Sequence, residues 1–170
     1  MKFADVGVQE DNNNLLIVDG LNVAFRWRYK KVPYYTNDYV RTVESLAKSY
    51  NCGKIVVLAD GGSTYRKNLY PDYKANRKTR YKDQTETEWI VGKRREFGIG
   101  ETWLISSDKD WDLLIDDDVS RFSTVTRKEV TVDNWDEHYN FDRDMFLTFK
   151  CLAGDAGDNI PGIKGIGPKR

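Results

Sequence analysis

Three short apolar runs stand out in a polar chain, and each stops at an aspartate-bearing turn. Leu15-Leu16-Ile17-Val18 ends at Asp19-Gly20. Ile55-Val56-Val57-Leu58 ends at Asp60-Gly61-Gly62, and Trp103-Leu104-Ile105 ends at Ser106-Ser107-Asp108. Runs of this length bounded by turn formers predict buried strands. Between the first two, Val40, Val43, Leu46, Ala47 and Tyr50 recur at helical spacing, with Asn37 or Asp38 placed to cap the helix. Segments 119–122 and 129–132 read as a hairpin or an edge pair. Asp142 is placed to cap a last helix through Met145, Phe146, Phe149 and Leu152. The polar stretch 63–87, interrupted by Pro71, predicts a loop leading into an exposed basic helix. The sum is an α/β fold with a mainly parallel central sheet flanked by helices. In such a sheet the site lies at the carboxyl ends of the strands.

Composition narrows the classes. The chain has 170 residues, enough for one domain or one domain with a small appendage, and 27 basic residues balance 27 acidic ones. The balance hides segregation. Segment 66–95 has ten Lys/Arg against four Asp/Glu, whereas segment 101–118 has seven acids against Lys109 alone. A basic block suits phosphates, and an acidic block suits metal ions that let nucleic acid approach it. No apolar run reaches the ~20 residues of a membrane helix, so no membrane role is expected. The first 14 residues lack the apolar core of a signal peptide. Two cysteines and one histidine argue against a disulfide framework, a zinc site or a histidine-based metal centre. A reducing cytoplasm is the expected compartment. Cys151 falls on the apolar face of the last helix and is expected in the core, as are Trp103 and Trp111 beside the third strand.

The carboxylates gather where a site is expected. Asp19, Asp60 and Asp108 follow the three strands, Asp110 shares the turn of Asp108, and Asp155 and Asp158 lie in Gly154-Asp155-Ala156-Gly157-Asp158-Asn159. One aspartate after a strand is ordinarily a turn former or helix cap. Three strand ends so marked point to carboxylates whose mutual repulsion is relieved by divalent cations. An oxygen-only donor set suits Mg²⁺ or Mn²⁺, and two such ions support phosphodiester hydrolysis. The segment Gly162-Ile163-Lys164-Gly165-Ile166-Gly167-Pro168-Lys169 alternates glycine with apolar anchors. Its backbone can approach a duplex phosphate closely, with Lys164 and Lys169 adding charge. It is not a P-loop, because Pro168 stands where that loop requires lysine.

Three motifs in order, Val18-Asp19-Gly20-Leu21-Asn22, Ser106-Ser107-Asp108-Lys109-Asp110-Trp111-Asp112 and the segment from Gly154 to Gly162, resemble the 5′-nuclease family of flap endonucleases, above all its bacteriophage members. The resemblance covers roughly residues 14–170. It implies a PIN-like nuclease core over 14–135, including a basic arch at about 66–95. It also implies a helical duplex-binding region over 136–170 that starts a helix-hairpin-helix-type motif. It further implies cleavage of branched DNA with a 5′ single strand, some 5′-3′ exonuclease action, and a role in replication or repair. Asp19, Asp60, Asp108, Asp110, Asp155 and Asp158 would supply or orient two Mg²⁺ or Mn²⁺ ions. Tyr73-Lys74-Ala75-Asn76-Arg77 resembles the base of the family's arch, so that Lys74, Arg77 and Arg80 would act at the scissile phosphate. Arg66, Tyr73, Gly162, Lys164, Gly165, Gly167 and Lys169 would contact DNA, and K⁺ could bridge the hairpin to a duplex phosphate. A monomer is expected, in the host cytoplasm if the gene is a phage's.

The chain departs from that pattern in two places: it stops at Arg170, where the second helix of the hairpin is expected to begin, and it lacks an acidic cluster. The family carries an acidic cluster on a helix between the arch and the strand of Trp103, and only twelve residues separate Glu88 from Glu101, none forming such a cluster. The shortening fits either an internal deletion or residues missing from the recorded chain, and the exposure expected of an arch favours the second. Two other readings stay open: a branched-DNA binder that kept the fold without catalysis, and a metal-dependent phosphatase. The glycine segment argues against the phosphatase, which has no use for a duplex clamp.

Overall fold

The structure is a computed structural model that describes residues 12–59, 68–72 and 85–166. It divides into two units. One spans residues up to 59 and 84–134, and the other spans 60–83 and 135–170.

The first unit is built on a five-stranded sheet. Its strands are β1 (Leu15–Asp19), β2 (Lys54–Leu58), β3 (Thr102–Ile105), β4 (Val119–Phe122) and β5 (Glu129–Val130), in the order β2-β1-β3-β4-β5. The first four are parallel and β5 closes the edge as an antiparallel partner of β4. β1 is central because its four apolar residues bury both faces. Leu16 and Val18 meet Val23 and Trp27 of α1 (Gly20–Tyr29) and Val43, Leu46 and Ala47 of α2 (Thr36–Ser49). Leu15 and Ile17 meet Leu104, Trp111, Val119 and Val91, the last from α3 (Thr85–Lys93). Helices on both faces of a parallel sheet give the expected α/β architecture.

Two expectations change. β2 is an edge strand: it pairs only with β1 among the described residues, so Ile55 and Val57 are 42% and 47% exposed. An apolar run reports strand propensity, not the number of neighbours. α2 begins at Thr36, ahead of Asn37 and Asp38, without a side-chain cap. α3 ends in turns in which Phe97 N donates to Lys93 O (3.2 Å), Gly98 N to Arg95 O (3.1 Å) and Ile99 N to Arg94 O (2.8 Å). The Arg94 guanidinium pairs with Asp116, the acid before β4. The short connection leads from these turns into β3.

The second unit holds α4 (Trp135–His138), a 3₁₀ turn (Arg143–Met145) and α5 (Phe146–Ala153). Its core is aromatic. Trp135, Tyr139, Phe141, Phe146 and Phe149 lie ring against ring, with Phe141 stacked on Phe149 at 4.7 Å. The Trp135 indole N–H donates to the Phe141 carbonyl at 2.8 Å, which satisfies its polar edge. Asp142 makes no side-chain cap and precedes the 3₁₀ turn. Cys151 is exposed rather than core.

Candidate active site

In the first unit the carboxyl ends of β1 and β3 lie side by side, and a chain of hydrogen bonds ties them together. Asp19 closes β1 and caps α1, with its Oδ1 accepting from Asn22 N at 2.9 Å. Its Oδ2 accepts from the Ser106 hydroxyl at 2.9 Å. The same hydroxyl oxygen accepts from Asp108 N at 3.1 Å, and Asp108 Oδ1 accepts from Asp110 N at 3.0 Å. Asn22 reaches back, its Oδ1 accepting from Ser107 N at 3.2 Å. Asp108 thereby caps the 3₁₀ helix Lys109–Leu114, so Asp108 and Asp110 project from a fixed turn.

Electrostatics single out Asp19. Burial raises its pKa above 3.8, against the lowering effect of the Asn22 and Leu21 amides and the Ser106 hydroxyl. A half-buried carboxylate with no ion pair among the described residues is what a hard divalent cation would neutralise. The donors at this strand end are carboxylates, a hydroxyl and an amide oxygen, with no histidine or cysteine, and this set fits Mg²⁺ or Mn²⁺ chemistry.

In the second unit Asp155 and Asp158 belong to one tight turn. Asp155 and Ile160 exchange backbone hydrogen bonds of 2.9 and 2.8 Å, and Asp158 N donates to Asp155 Oδ1 at 3.1 Å. Lys150 of α5 donates to Asp155 Oδ2 at 3.0 Å. Burial acts to raise the Asp155 pKa, but the Lys150 ion pair and the amides of Asp158 and Gly157 outweigh it and hold the carboxyl below 3.8. Asp158 is buried. Gly162, Lys164 and Gly165 are exposed, and Gly165 has φ 94°. Gly162 packs backbone to backbone on Ala153. Asp60, Arg66, Tyr73, Lys74, Arg77, Arg80, Gly167 and Lys169 lie outside the described residues.

Sequence reasoning missed two features of the first unit. One is the buried ion pair of Asp112 and Arg121, which underlies the Ser106 turn. The other is a cavity of ≈ 540 Å³ lined by Arg26, Lys30, Arg41 and Arg127 against Asp38 alone. The cationic spacing of Arg26 and Lys30, four apart on one helix, was the available signal for it.

Comparison with known proteins places this geometry. No family model matches the chain. The flap endonuclease of Escherichia phage T5 is 37% identical over 197 residues, covering 92% of this chain and 67% of the relative. The chain belongs to the flap endonuclease family. The flap endonuclease Xni of Shewanella oneidensis is 28% identical over 190 residues, covering 92% of this chain and 72% of the relative. Among solved structures, a mutant of T5 5′-exonuclease superimposes with a TM-score of 0.78 at 35% identity, over 92% of this chain and 69% of that one. The T5 flap endonuclease in a pseudo-enzyme–product complex with DNA and metal ions gives 0.76 at 33% identity, over 92% and 72%. The alignment to the phage enzyme is longer than the 170-residue chain itself. The phage flap endonuclease thus carries segments with no counterpart here, in keeping with the short crossover from α3 to β3.

Proposed function

We propose that the chain is a structure-specific 5′-nuclease, a flap endonuclease with 5′-3′ exonuclease activity, that hydrolyses DNA phosphodiesters near single-strand/duplex junctions with the help of Mg²⁺ or Mn²⁺. The observation that carries this is the Asp19–Ser106–Asp108–Asp110 chain of hydrogen bonds across two adjacent parallel strand ends. It holds hard oxygen donors in a fixed array, which a DNA-binding protein without catalysis does not need.

The proposed roles rest on the geometry for Asp19, Asp108, Asp110, Asp155 and Asp158, and on the family resemblance for the others. Asp19, Asp108 and Asp110 hold divalent cation in the first unit. Asp155 and Asp158 are proposed for the same role in the second, each set taken by itself, and Asp60 is proposed with them. Bound cation supplies Lewis-acid activation of water and neutralises phosphate charge. The chain's own part is to fix these oxygens: Ser106 orients Asp19, and the Asp108 cap orients Asp110. Lys74, Arg77 and Arg80 are proposed to meet the scissile phosphate, where fixed positive charge stabilises the charge that develops. Arg66, Tyr73, Gly162, Lys164, Gly165, Gly167 and Lys169 are proposed as DNA contacts, within the start of a helix-hairpin-helix-type motif that K⁺ could bridge to phosphate. The proposed working form is a monomer in the cytoplasm.

The test is cleavage of a labelled 5′-flap duplex with Mg²⁺, Mn²⁺ or excess EDTA, by the wild type and by Asp110→Asn. Cleavage with either cation, loss in EDTA, and loss in Asp110→Asn with DNA binding retained in Ca²⁺ are expected. Equal cleavage in EDTA, or an Asp110→Asn protein as active as the wild type, would refute the proposal.

A further inference from the structure

Beneath the strand-end turn lies an ion pair whose position no substrate contact explains. Arg121 of β4 is opposite Leu104 of β3 in register, and its side chain is buried. Its guanidinium forks onto Asp112, with Nε donating to Oδ1 and Nη2 donating to Oδ2 at 2.9 Å. The third arm leaves the pair: Nη1 donates to the Ser106 carbonyl at 2.9 Å. Asp112 and Ser106 are both 0% exposed. Ser106 is thus held from two sides, since its own N–H donates to Phe122 O at 3.2 Å. From this fixed backbone its hydroxyl bridges Asp19 to the amide of Asp108.

We propose that the Asp112–Arg121 pair is a positioning device for the divalent-cation site: it fixes Ser106, and through Ser106 it sets the spacing between Asp19 and the Asp108–Asp110 turn. The inference rests on the metal-dependent reading above. The shape of the guanidinium is the argument. Only a planar fork can satisfy both oxygens of Asp112 and still present an N–H to a carbonyl on the other side. If the pair served packing alone, apolar side chains of similar volume would replace it without loss, because a buried ion pair gains little over well-packed hydrophobic residues. Outer groups that orient metal-holding side chains, by contrast, change metal affinity or activity by about 10- to 100-fold when altered.

Three variants separate the two roles. Arg121→Lys keeps the charge and loses the fork. The double change Asp112→Leu with Arg121→Met removes the pair and fills the space. Ser106→Ala leaves the pair in place and cuts the bridge to Asp19. Each is compared with the wild type by thermal melting, by Mn²⁺ binding followed with electron paramagnetic resonance, by flap-DNA affinity in Ca²⁺, and by kcat and KM across a Mg²⁺ series. The double variant is expected to melt near the wild type and to bind DNA within about twofold. Its Mn²⁺ affinity and kcat are expected to fall by about 10- to 100-fold at little change in KM, with the Mg²⁺ midpoint shifted upward. Ser106→Ala is expected to weaken Mn²⁺ binding in the same direction, and Arg121→Lys to fall between it and the wild type. A folded double variant with wild-type Mn²⁺ affinity and Mg²⁺ midpoint overturns the proposal. If the double variant does not fold, a Ser106→Ala protein with wild-type Mn²⁺ affinity overturns it instead. A wild type that cleaves without divalent cation refutes the nuclease reading itself, a separate outcome.

Discussion

The same chemical change, glycine to alanine, is expected to act with opposite sign at two positions of this chain. Gly162 lies against the end of α5. A Cβ built there falls 2.1 Å from the Ala153 carbonyl oxygen, 2.3 Å from the Ala153 carbonyl carbon and 2.8 Å from Gly154 N. All three atoms are backbone, so no flexible side chain can yield. The chain must move, at the expense of the 2.7 Å bond from Ile163 N to Leu152 O and the 3.0 Å bond from Gly154 N to Lys150 O. Overpacking of this kind costs about 1–3 kcal/mol. Gly92, exposed in α3, has no atom within 4 Å of its Cβ position. There alanine gains about 0.4–1 kcal/mol from helix propensity and a less flexible unfolded chain. At about 2–4 °C per kcal/mol for a chain this size, Gly92→Ala should raise Tm by about 1–4 °C and Gly162→Ala should lower it by about 2–12 °C. Gly162→Ala also displaces the turn of Asp155 and Asp158, so it should slow flap cleavage, while Gly92→Ala should not. Melting followed by circular dichroism, with cleavage rates at matched fractions folded, is the assay. Two variants shifted in the same direction, or a Gly162→Ala protein as stable and active as the wild type, would refute the packing argument.

Two further outcomes follow from the thiols and from the Lys150 ion pair. Cys52 is 1% exposed, and burial followed by the field of Glu101 pushes its thiol up to about 12, whereas Cys151 is exposed. A chromogenic disulfide at neutral pH should therefore titrate one thiol in the folded protein and two in denaturant, and Cys151→Ser should remove the fast one. Lys150→Met should lower stability by about 1 kcal/mol at neutral pH. The Asp155 pKa is depressed in the fold, so its contribution is complete above 3.8 and disappears as pH falls through the lower folded value. The gap in urea midpoint between variant and wild type should narrow as the pH falls below 3.8, and a gap that does not narrow would assign Lys150 a packing role only.

What could be read from the sequence was whatever local pattern encodes. β1 and β3 were legible because each is an apolar run cut off by turn formers, and their strand-end aspartates were legible with them. α1 was not, because it starts on Gly20 and offers only Val23 and Trp27 as buried anchors among arginines. Its signal was Asp19 three residues before Asn22, a helix cap concealed by the stronger reading of Asp19 as a metal-holding residue. Cys151 looked like core because α5 is apolar around most of its circumference, and in the described structure its buried residue is Phe146 instead. Asp112 was hidden for another reason. It shares an acidic block with Asp108, Asp110 and Asp116, and only the fold shows that this carboxylate is fully buried against Arg121. Sequence places charges along the chain; tertiary register decides which of them are neutralised.

The last prediction concerns Asp19 and the stability of the cation-free protein. Its pKa is raised by burial, so the sign is opposite to that of Asp155. Below 3.8 the group is protonated in both the folded and unfolded states and has no effect. Above 3.8 the unfolded chain ionises first and is favoured, and the cost of the buried charge is complete above the folded pKa. At neutral pH the cation-free fold therefore carries at the end of β1 a half-buried carboxylate whose charge burial disfavours. Cation bound at that site removes this cost and adds its own binding energy, which by mass action is about 2.7 kcal/mol at a hundred times Kd. That corresponds to a rise in Tm of about 5–11 °C at about 2–4 °C per kcal/mol. The rise should shrink as the pH falls toward the Asp19 pKa, because protons then compete with the cation for the same oxygen. Asp19→Asn has no charge to neutralise at that position, so its Tm should rise less with Mg²⁺ or Mn²⁺ than that of the wild type, and the remaining rise should come from the other proposed carboxylates. Melting curves with and without cation, at several pH values and constant ionic strength, give all four quantities. If Asp19→Asn gains as much from divalent cation as the wild type, cation is held elsewhere and Asp19 is a helix cap and nothing more.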